Sequence, residues 1–256
     1  MEAARALVVG GASGLGAALA VKLAVRGARV AVADRNAAGA ESVVAACQTA
    51  GASAHAVIVD LASADGPAAM VAAAVRDLGG LDIVVHCAAA APAERFLDMT
   101  ASAWETALLV NVRGLALTLS AAGRAMQAGG GRIIAVTSAA SRMALPNYTA
   151  YAATKAAVDS LVRSAAVALA PHGISVNSLS PGMMDTPIQM ETEALFAAFE
   201  GRADVDRFKA ERTARIPLGR RTDPSEMADV LVWMALDAPA YMTAGRLNVT
   251  GGLDKD

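Results

Sequence analysis

Tyr151-Ala-Ala-Thr-Lys155 sets a phenol and an ammonium four residues apart, at the start of an alanine-rich helical run over 152–170. Residues at i and i+4 share a helix face, so the two side chains are neighbours. A free tyrosine titrates near pH 10 and is a poor base at neutral pH. A nearby positive charge favours the phenolate and lowers that value. Lowering it by about three pH units takes roughly 4 kcal/mol of differential interaction, which Lys155 would share with a second cation at the site. Ser138 stands thirteen residues before Tyr151, just after the apolar run 133–136. There its hydroxyl can hydrogen-bond a carbonyl or alkoxide oxygen while Tyr151 moves the proton. Singly, the three have plainer readings as a surface aromatic, a solvated helix charge and a turn serine. Their joint placement is what points to proton transfer.

A second cluster lies at the N-terminal end. Val8-Val9-Gly10-Gly11-Ala12-Ser13-Gly14-Leu15-Gly16 follows a short apolar run and opens a helical pattern. Glycine lets backbone turn tightly and approach a phosphate, and a helix N-terminus offers free N–H donors and partial positive charge. Asp34 ends the next apolar run, eighteen residues after Gly16. A carboxylate there can accept hydrogen bonds from an adenosine ribose and would repel a 2′-phosphate, which favours NAD over NADP. Arg35 beside it pulls the other way, since a guanidinium pairs with that phosphate. A tight packing turn and an ordinary post-strand acid are the plain alternatives; loop and acid together favour a dinucleotide.

The elements that must position these groups can be read from periodicity. Continuous apolar runs over 6–9, 30–33, 56–59, 83–85, 133–136, 174–177 and 246–249 suit strands buried on both faces. Between them, 14–26, 38–50, 66–78 and 104–126 are long enough for crossover helices. This alternation implies an α/β chain with a mostly parallel sheet and helices on both sides, ligands binding at the carboxyl ends of the strands. One stretch, 181–217, is less regular and too long for a simple connection, as substrate lids and binding loops often are. No linker, repeat or low-complexity tract divides the 256 residues, so one domain over 1–256 is expected, with 183–216 as its substrate-binding segment.

Composition supports this and narrows the partners. Hydrophobic residues make up 55% but aromatics only 4%, so small side chains must pack the elements closely. A net charge of −2 argues against a nucleic-acid surface. Two isolated cysteines, Cys47 and Cys87, fit a reducing compartment and supply no metal cluster. Mean hydropathy of +0.42 raises a membrane question, but no stretch offers about 18 uninterrupted apolar residues. The apolar run 6–21 is broken by the glycine loop and reads as strand, turn and helix. A cytoplasmic location, away from membranes, is expected.

Five segments in order and spacing make the chain resemble the short-chain dehydrogenase/reductase family over essentially its whole length. The family's TGxxxGxG is similar to Val9-Gly10 through Gly14-Leu15-Gly16, its active-site asparagine to Asn111, and its serine and YxxxK to Ser138, Tyr151 and Lys155. Its proline–glycine turn is similar to 181–186, and its last strand and glycine pair to 247–252. The resemblance implies a Rossmann-type doubly wound fold of about seven strands. It implies Tyr151 as general acid/base, Ser138 orienting the substrate oxygen, and Lys155 holding ribose hydroxyls and depressing the Tyr151 pKa. Asn111 would anchor a water that relays the proton. Cofactor contacts would come from Gly10, Ser13, Gly14, Leu15, Gly16, Asp34 and Arg35, with Asp60 and Leu61 flanking adenine. Cys87, Ala88, Pro181 and Gly182 would continue that surface, and Met184 and Thr186 would face the nicotinamide carboxamide. Ser138, Ala140, Tyr148 and Gln189 are candidate substrate contacts. Family members are commonly tetramers built through the helices carrying Asn111 and Tyr151, so a homo-oligomer is expected.

Two positions depart from the pattern. Val9 replaces a threonine, and His86-Cys87-Ala88-Ala89 stands where the family has NNAG, whose amides brace the sheet beside the cofactor. That bracing must be supplied elsewhere or be weaker. His86 and Cys87 are adjacent on a strand, point to opposite faces and form no metal pair; His55 and His172 have no visible partner. The expected activity is NAD-dependent oxidation of a secondary alcohol, a sugar alcohol among the candidates, or reduction of its ketone. The alternatives are an NADPH-dependent reductase of 3-oxoacyl thioesters and a catalytically silent NAD-binding protein. Occupancy of all four catalytic positions argues against the silent form, and a methyltransferase would not need the Ser–Tyr–Lys array.

Overall fold

Each apolar run forms a strand in the computed structural model, which describes residues 3–254. They are β1 (Arg5–Val9), β2 (Arg29–Asp34), β3 (Ala54–Ile58), β4 (Ile83–His86), β5 (Gly131–Val136), β6 (Ile174–Pro181) and β7 (Arg246–Val249). All seven pair parallel in one sheet, in the order β3-β2-β1-β4-β5-β6-β7. The order reverses between β1 and β4, where Val9 lies opposite His86. The connections leave to opposite faces of the sheet there, and the carboxyl edge at such a point is where open α/β sheets bind ligands. Residues 1, 2, 255 and 256 of the expected domain lie outside the described residues.

Strand alternation sends side chains into two helix layers. Ala6, Val8, Val30 and Val32 pack with Leu19 and Leu23 of α1 (Gly14–Val25), with α2 (Ala37–Thr49), and with Met227 and Leu231 of α9 (Pro224–Val232). Leu7, Val9, Ala31 and Ala33 face the opposite layer. That layer holds Met70 and Ala74 of α3 (Gly66–Leu78), Leu119 and Met126 of α5 (Leu115–Met126), and Val158 and Val162 of α6 (Thr149–Leu169). Each of these leucines, fully buried, contributes roughly 1.5–3 kcal/mol.

Three elements differ from the sequence expectation. β6 runs on past Asn177 to Pro181, because the hydroxyls that interrupt its apolar pattern are satisfied; Ser180 Oγ accepts from Arg246 Nη2 at 2.8 Å. The helix expected over 104–126 begins at Ala101, where the Thr100 hydroxyl accepts from the Ala103 N–H at 3.2 Å. Between α4 (Ala101–Ala107) and α5 it widens into a π-helical stretch, Leu108–Gly114, centred on Asn111. By length and composition, Ala101–Met126 is a helix long and apolar enough to cross a membrane; here its Leu115, Leu119, Ala122 and Met126 are buried in the core. The third difference is the segment 183–216, which folds into α7 (Pro187–Phe199) and α8 (Val205–Thr213). Thr186 and Asp204 cap them, accepting from Gln189 N at 3.4 Å and Arg207 N at 2.8 Å.

Candidate active site

The glycine turn between β1 and α1 is shaped for close approach. Gly10 has φ +77°, and a Cβ there would meet Ala88 N at 2.5 Å; one on Gly16 would meet the Gly10 carbonyl oxygen at 2.0 Å. Asp34 ties this loop to the end of β2, its carboxylate accepting from Ala12 N at 3.1 Å and Asn36 N at 3.0 Å. An open groove lies beside it. Gly10, Ser13, Gly14, Leu15, Gly16, Asp34 and Arg35 line its first part, and Asp60 and Leu61 its flank. Cys87, Ala88, Pro181, Met184 and Thr186 continue it to Tyr151 and Lys155. Gly182 is the exception among the expected cofactor residues, lining the neighbouring cleft. Arg35 is exposed and has no partner among the described residues.

The groove fits a dinucleotide on its own terms. Backbone closes on itself at Gly10 and Gly16, leaving no room for side chains, and the unshielded N-terminus of α1 follows. An acidic group stands at the end of the second strand and a buried ammonium at the far end.

Proton-transfer residues meet where this groove joins a second cleft. Ser138 follows β5; its Oγ accepts from Ala140 N at 3.1 Å, which fixes the lone pairs and leaves the O–H free to donate. Tyr151, in the first turn of α6, stacks on Tyr148 with ring centroids 4.3 Å apart, and Tyr148 meets Phe196 edge-on at 5.3 Å. Burial pushes the Tyr151 phenol up to about 12, opposed by its hydrogen bond with Ser138. In the protein alone, burial outweighs any lowering of this value. Lys155 Nζ sits 5.5 Å from the Tyr151 ring centroid and donates to the Val136 carbonyl at 2.9 Å. Burial also pulls Lys155 down to about 8, with Cys87 and Asp159 acting in the other direction.

Asn111 braces the loop after β4. Its Oδ1 accepts from Ala90 N at 2.7 Å, and Nδ2 donates to Ala90 O at 2.8 Å and Thr154 Oγ1 at 2.9 Å. The loop after β4 is thereby tied to α6 one residue before Lys155. Both amide hydrogens are used, leaving on this side chain the second lone pair of Oδ1 for the water expected there. His86 is buried with Nε2 unpartnered, and desolvation lowers it to about 3; burial pushes Cys87 up to about 12. Among the described residues, no group of three or more His, Cys, Asp or Glu side chains is placed to hold a metal ion.

All four expected substrate contacts, Ser138, Ala140, Tyr148 and Gln189, line the second cleft. The expected substrate segment 183–216 also contributes Ile188, Phe196 and, from α8, Arg212, and the loop after β5 contributes Met143 and Leu145. Sequence reasoning singled out none of these five individually, and four of them give the cleft apolar walls. It also missed Arg246, at the start of β7. That guanidinium donates to Asp159 Oδ2 at 2.5 Å, Ser141 Oγ at 2.8 Å and the Ser138 carbonyl at 3.3 Å, pinning the serine loop to α6. The caps Thr186-Pro187 and Asp204 were the available signal for α7 and α8; Arg246 left none.

Known proteins are similar to this chain over most of its length. The family model described as Enoyl-(Acyl carrier protein) reductase matches residues 10–254. An L-rhamnose 1-dehydrogenase (NAD(P)(+)) of Azotobacter vinelandii is 37% identical over 96% of this chain and 95% of its own. A cis-4-hydroxycyclohexanecarboxylate dehydrogenase of Sinomonas cyclohexanicum is also 37% identical, again over 96% of this chain and 95% of its own. Among solved structures, a single-substitution variant of actinorhodin polyketide ketoreductase with NADPH superimposes with a TM-score of 0.94 at 28% identity, over 99% of this chain and 98% of that one.

Proposed function

The chain belongs to the short-chain dehydrogenase/reductase family and is an oxidoreductase of CH–OH groups, and on that premise we propose that it transfers hydride between NAD(H) and a largely apolar cyclic secondary alcohol or its ketone. The observation that carries this is the meeting of Ser138, Tyr151 and Lys155 where the groove and the cleft join. Bound nicotinamide supplies the hydride acceptor in oxidation and the donor in reduction. In oxidation, the O–H proton of the alcohol passes to the Tyr151 oxygen; in reduction, Tyr151 returns a proton to the nascent alkoxide. Ser138 donates a hydrogen bond to the substrate oxygen and holds it beside the phenol. Buried Lys155 presents positive charge to the groove, which holds the ribose. Burial holds the phenol at about 12, and the positive charges of Lys155 and the oxidised cofactor would act to bring it down.

NAD is favoured over NADP by the Asp34 carboxylate at the end of β2, with Arg35 the counterweight. The apolar walls at Met143, Leu145, Ile188 and Phe196 favour a ring over an open sugar alcohol, whose hydroxyls would find Tyr148, Thr186 and Gln189. The proposal extends to a cytoplasmic homotetramer. Both cysteines are free, and Leu108, Leu117 and Val167 are exposed on the two helices the family uses for assembly. Light scattering tests the assembly, a monomer at micromolar concentration overturning it. An oxidation screen with NAD⁺ and NADP⁺ across cyclic alcohols, sugar alcohols and hydroxyacyl thioesters tests the activity. Turnover of a cyclic secondary alcohol with NAD⁺ is expected. Faster thioester reduction with NADPH would replace the reading by the 3-oxoacyl reductase, and no turnover of any alcohol by the silent NAD-binding protein.

A further inference from the structure

Arg212 is the only charged side chain among the described residues lining the alcohol cleft. Its guanidinium is fixed before any ligand arrives. Cζ lies 5.1 Å from the Phe196 ring centroid and 5.7 Å from that of Phe208, and Nε donates to Glu193 Oε1 at 3.1 Å. The side chain is 17% exposed, and its Nη1 and Nη2 have no partner among the described residues.

Neutralising Glu193 does not account for this arginine. Arg221, itself 5% exposed, already donates to the same Glu193 oxygen at 2.5 Å. Arg221 also lies 3.6 Å from Asp185, which Lys209 meets at 2.9 Å. The cluster therefore sets three cations, Lys209, Arg212 and Arg221, against two carboxylates, Asp185 and Glu193. One positive charge is left over, and of the three cations Arg212 is the one facing the cleft. A planar fork held by aromatic rings and a buried acid is pre-organised for a carboxylate and loses little freedom on binding one.

We propose that Arg212 is the carboxylate-binding subsite of this enzyme, and that its substrate is a hydroxy acid whose secondary alcohol and carboxylate are separated by an apolar ring or chain. The carbinol lies at Ser138 and Tyr151, the apolar stretch along Met143, Leu145 and Ile188, and the carboxylate on the Arg212 fork. This rests on the dehydrogenase reading and adds a charge requirement to it.

The test compares cis-4-hydroxycyclohexanecarboxylate with its uncharged carboxamide, using NAD⁺ and NADP⁺, for the full-length enzyme and for Arg212→Gln and Arg212→Lys. A hydrogen-bonded charge pair corresponds to roughly 10- to 100-fold in affinity, so the intact enzyme should prefer the acid by about that factor in kcat/KM. In Arg212→Gln the acid-to-amide ratio should collapse to within about threefold, mainly through KM, and Arg212→Lys should keep part of it. Glu193 stays paired with Arg221 in both variants, so both should fold. Equal use of acid and amide by the intact enzyme, or an unchanged ratio in Arg212→Gln, overturns the subsite while leaving the dehydrogenase reading in place. If no secondary alcohol is oxidised, it is the dehydrogenase reading that fails. Calorimetric binding of cyclohexanecarboxylate then decides the subsite: tenfold weakening in Arg212→Gln supports it, and no change overturns it.

Discussion

The dinucleotide groove and the alcohol cleft share Tyr151, Pro181, Met184, Thr186 and Ile188, yet they are made of different materials. The groove is formed by the carboxyl ends of β1, β2 and β4 and by small residues whose backbone is the binding surface. Its tolerances are set by sheet hydrogen bonds and by contacts such as Gly16 on the Gly10 carbonyl. The cleft is walled by side chains from the loop after β5 and from α7 and α8, with its own small core around Phe196 and Phe208. An ion cluster, rather than the sheet, holds these helices in register. A backbone surface suits a ligand common to many enzymes, and a side-chain surface can change with the substrate.

Substitution at the junction should break both halves at once. Tyr151→Phe removes the proton carrier and should lower kcat by about 10²–10⁴-fold, read in steady-state kinetics in either direction; a loss below tenfold would remove Tyr151 from the chemistry. Glu193→Gln should loosen the cleft and spare the groove. It leaves Arg221 buried without its closest counter-charge, so unfolding should cost about 3 kcal/mol less. Substrate KM should rise with it while NADH affinity stays within a few-fold; denaturant titration and nicotinamide fluorescence check the two. Asp34→Ser acts on the other side. Removing a like charge from beside a 2′-phosphate is worth roughly 1–4 kcal/mol, so the NAD⁺ to NADP⁺ preference should fall about tenfold or more with substrate KM little altered. A further effect, confined to acid pH, concerns the sheet beneath the groove. His86 stays neutral when folded, down to about pH 3, whereas an unfolded histidine takes up a proton below about 6.5. Stability should therefore be undiminished above pH 6.5 and decline as pH falls from 6.5 towards 3. His86→Asn should flatten that decline in thermal denaturation across the same range.

Legibility followed the range of the interaction. Tyr151 and Lys155 are one helical turn apart, and Asp34 and Ser138 each sit at the end of an apolar run, so local pattern placed all four. Asn111 could be matched by resemblance, but its partners, Ala90 and Thr154, lie 21 and 43 residues away. The π-helical turn that presents it has no composition of its own. The segment 183–216 looked irregular because its charges obscure helical periodicity, and those charges find one another only after α7 and α8 pack.

By itself, then, the sequence determined the sheet with its helix layers, the glycine turn and the proton-transfer residues, because these depend on periodicity, steric permission and neighbours within a turn or at a strand end. Tertiary structure alone decided how Asn111 ties the loop after β4 to α6, how Arg246 pins the Ser138 loop, and that Arg212 faces the cleft with its fork open. Those outcomes depend on which of several possible partners burial brings within hydrogen-bond distance, and that competition is resolved when the distant elements pack.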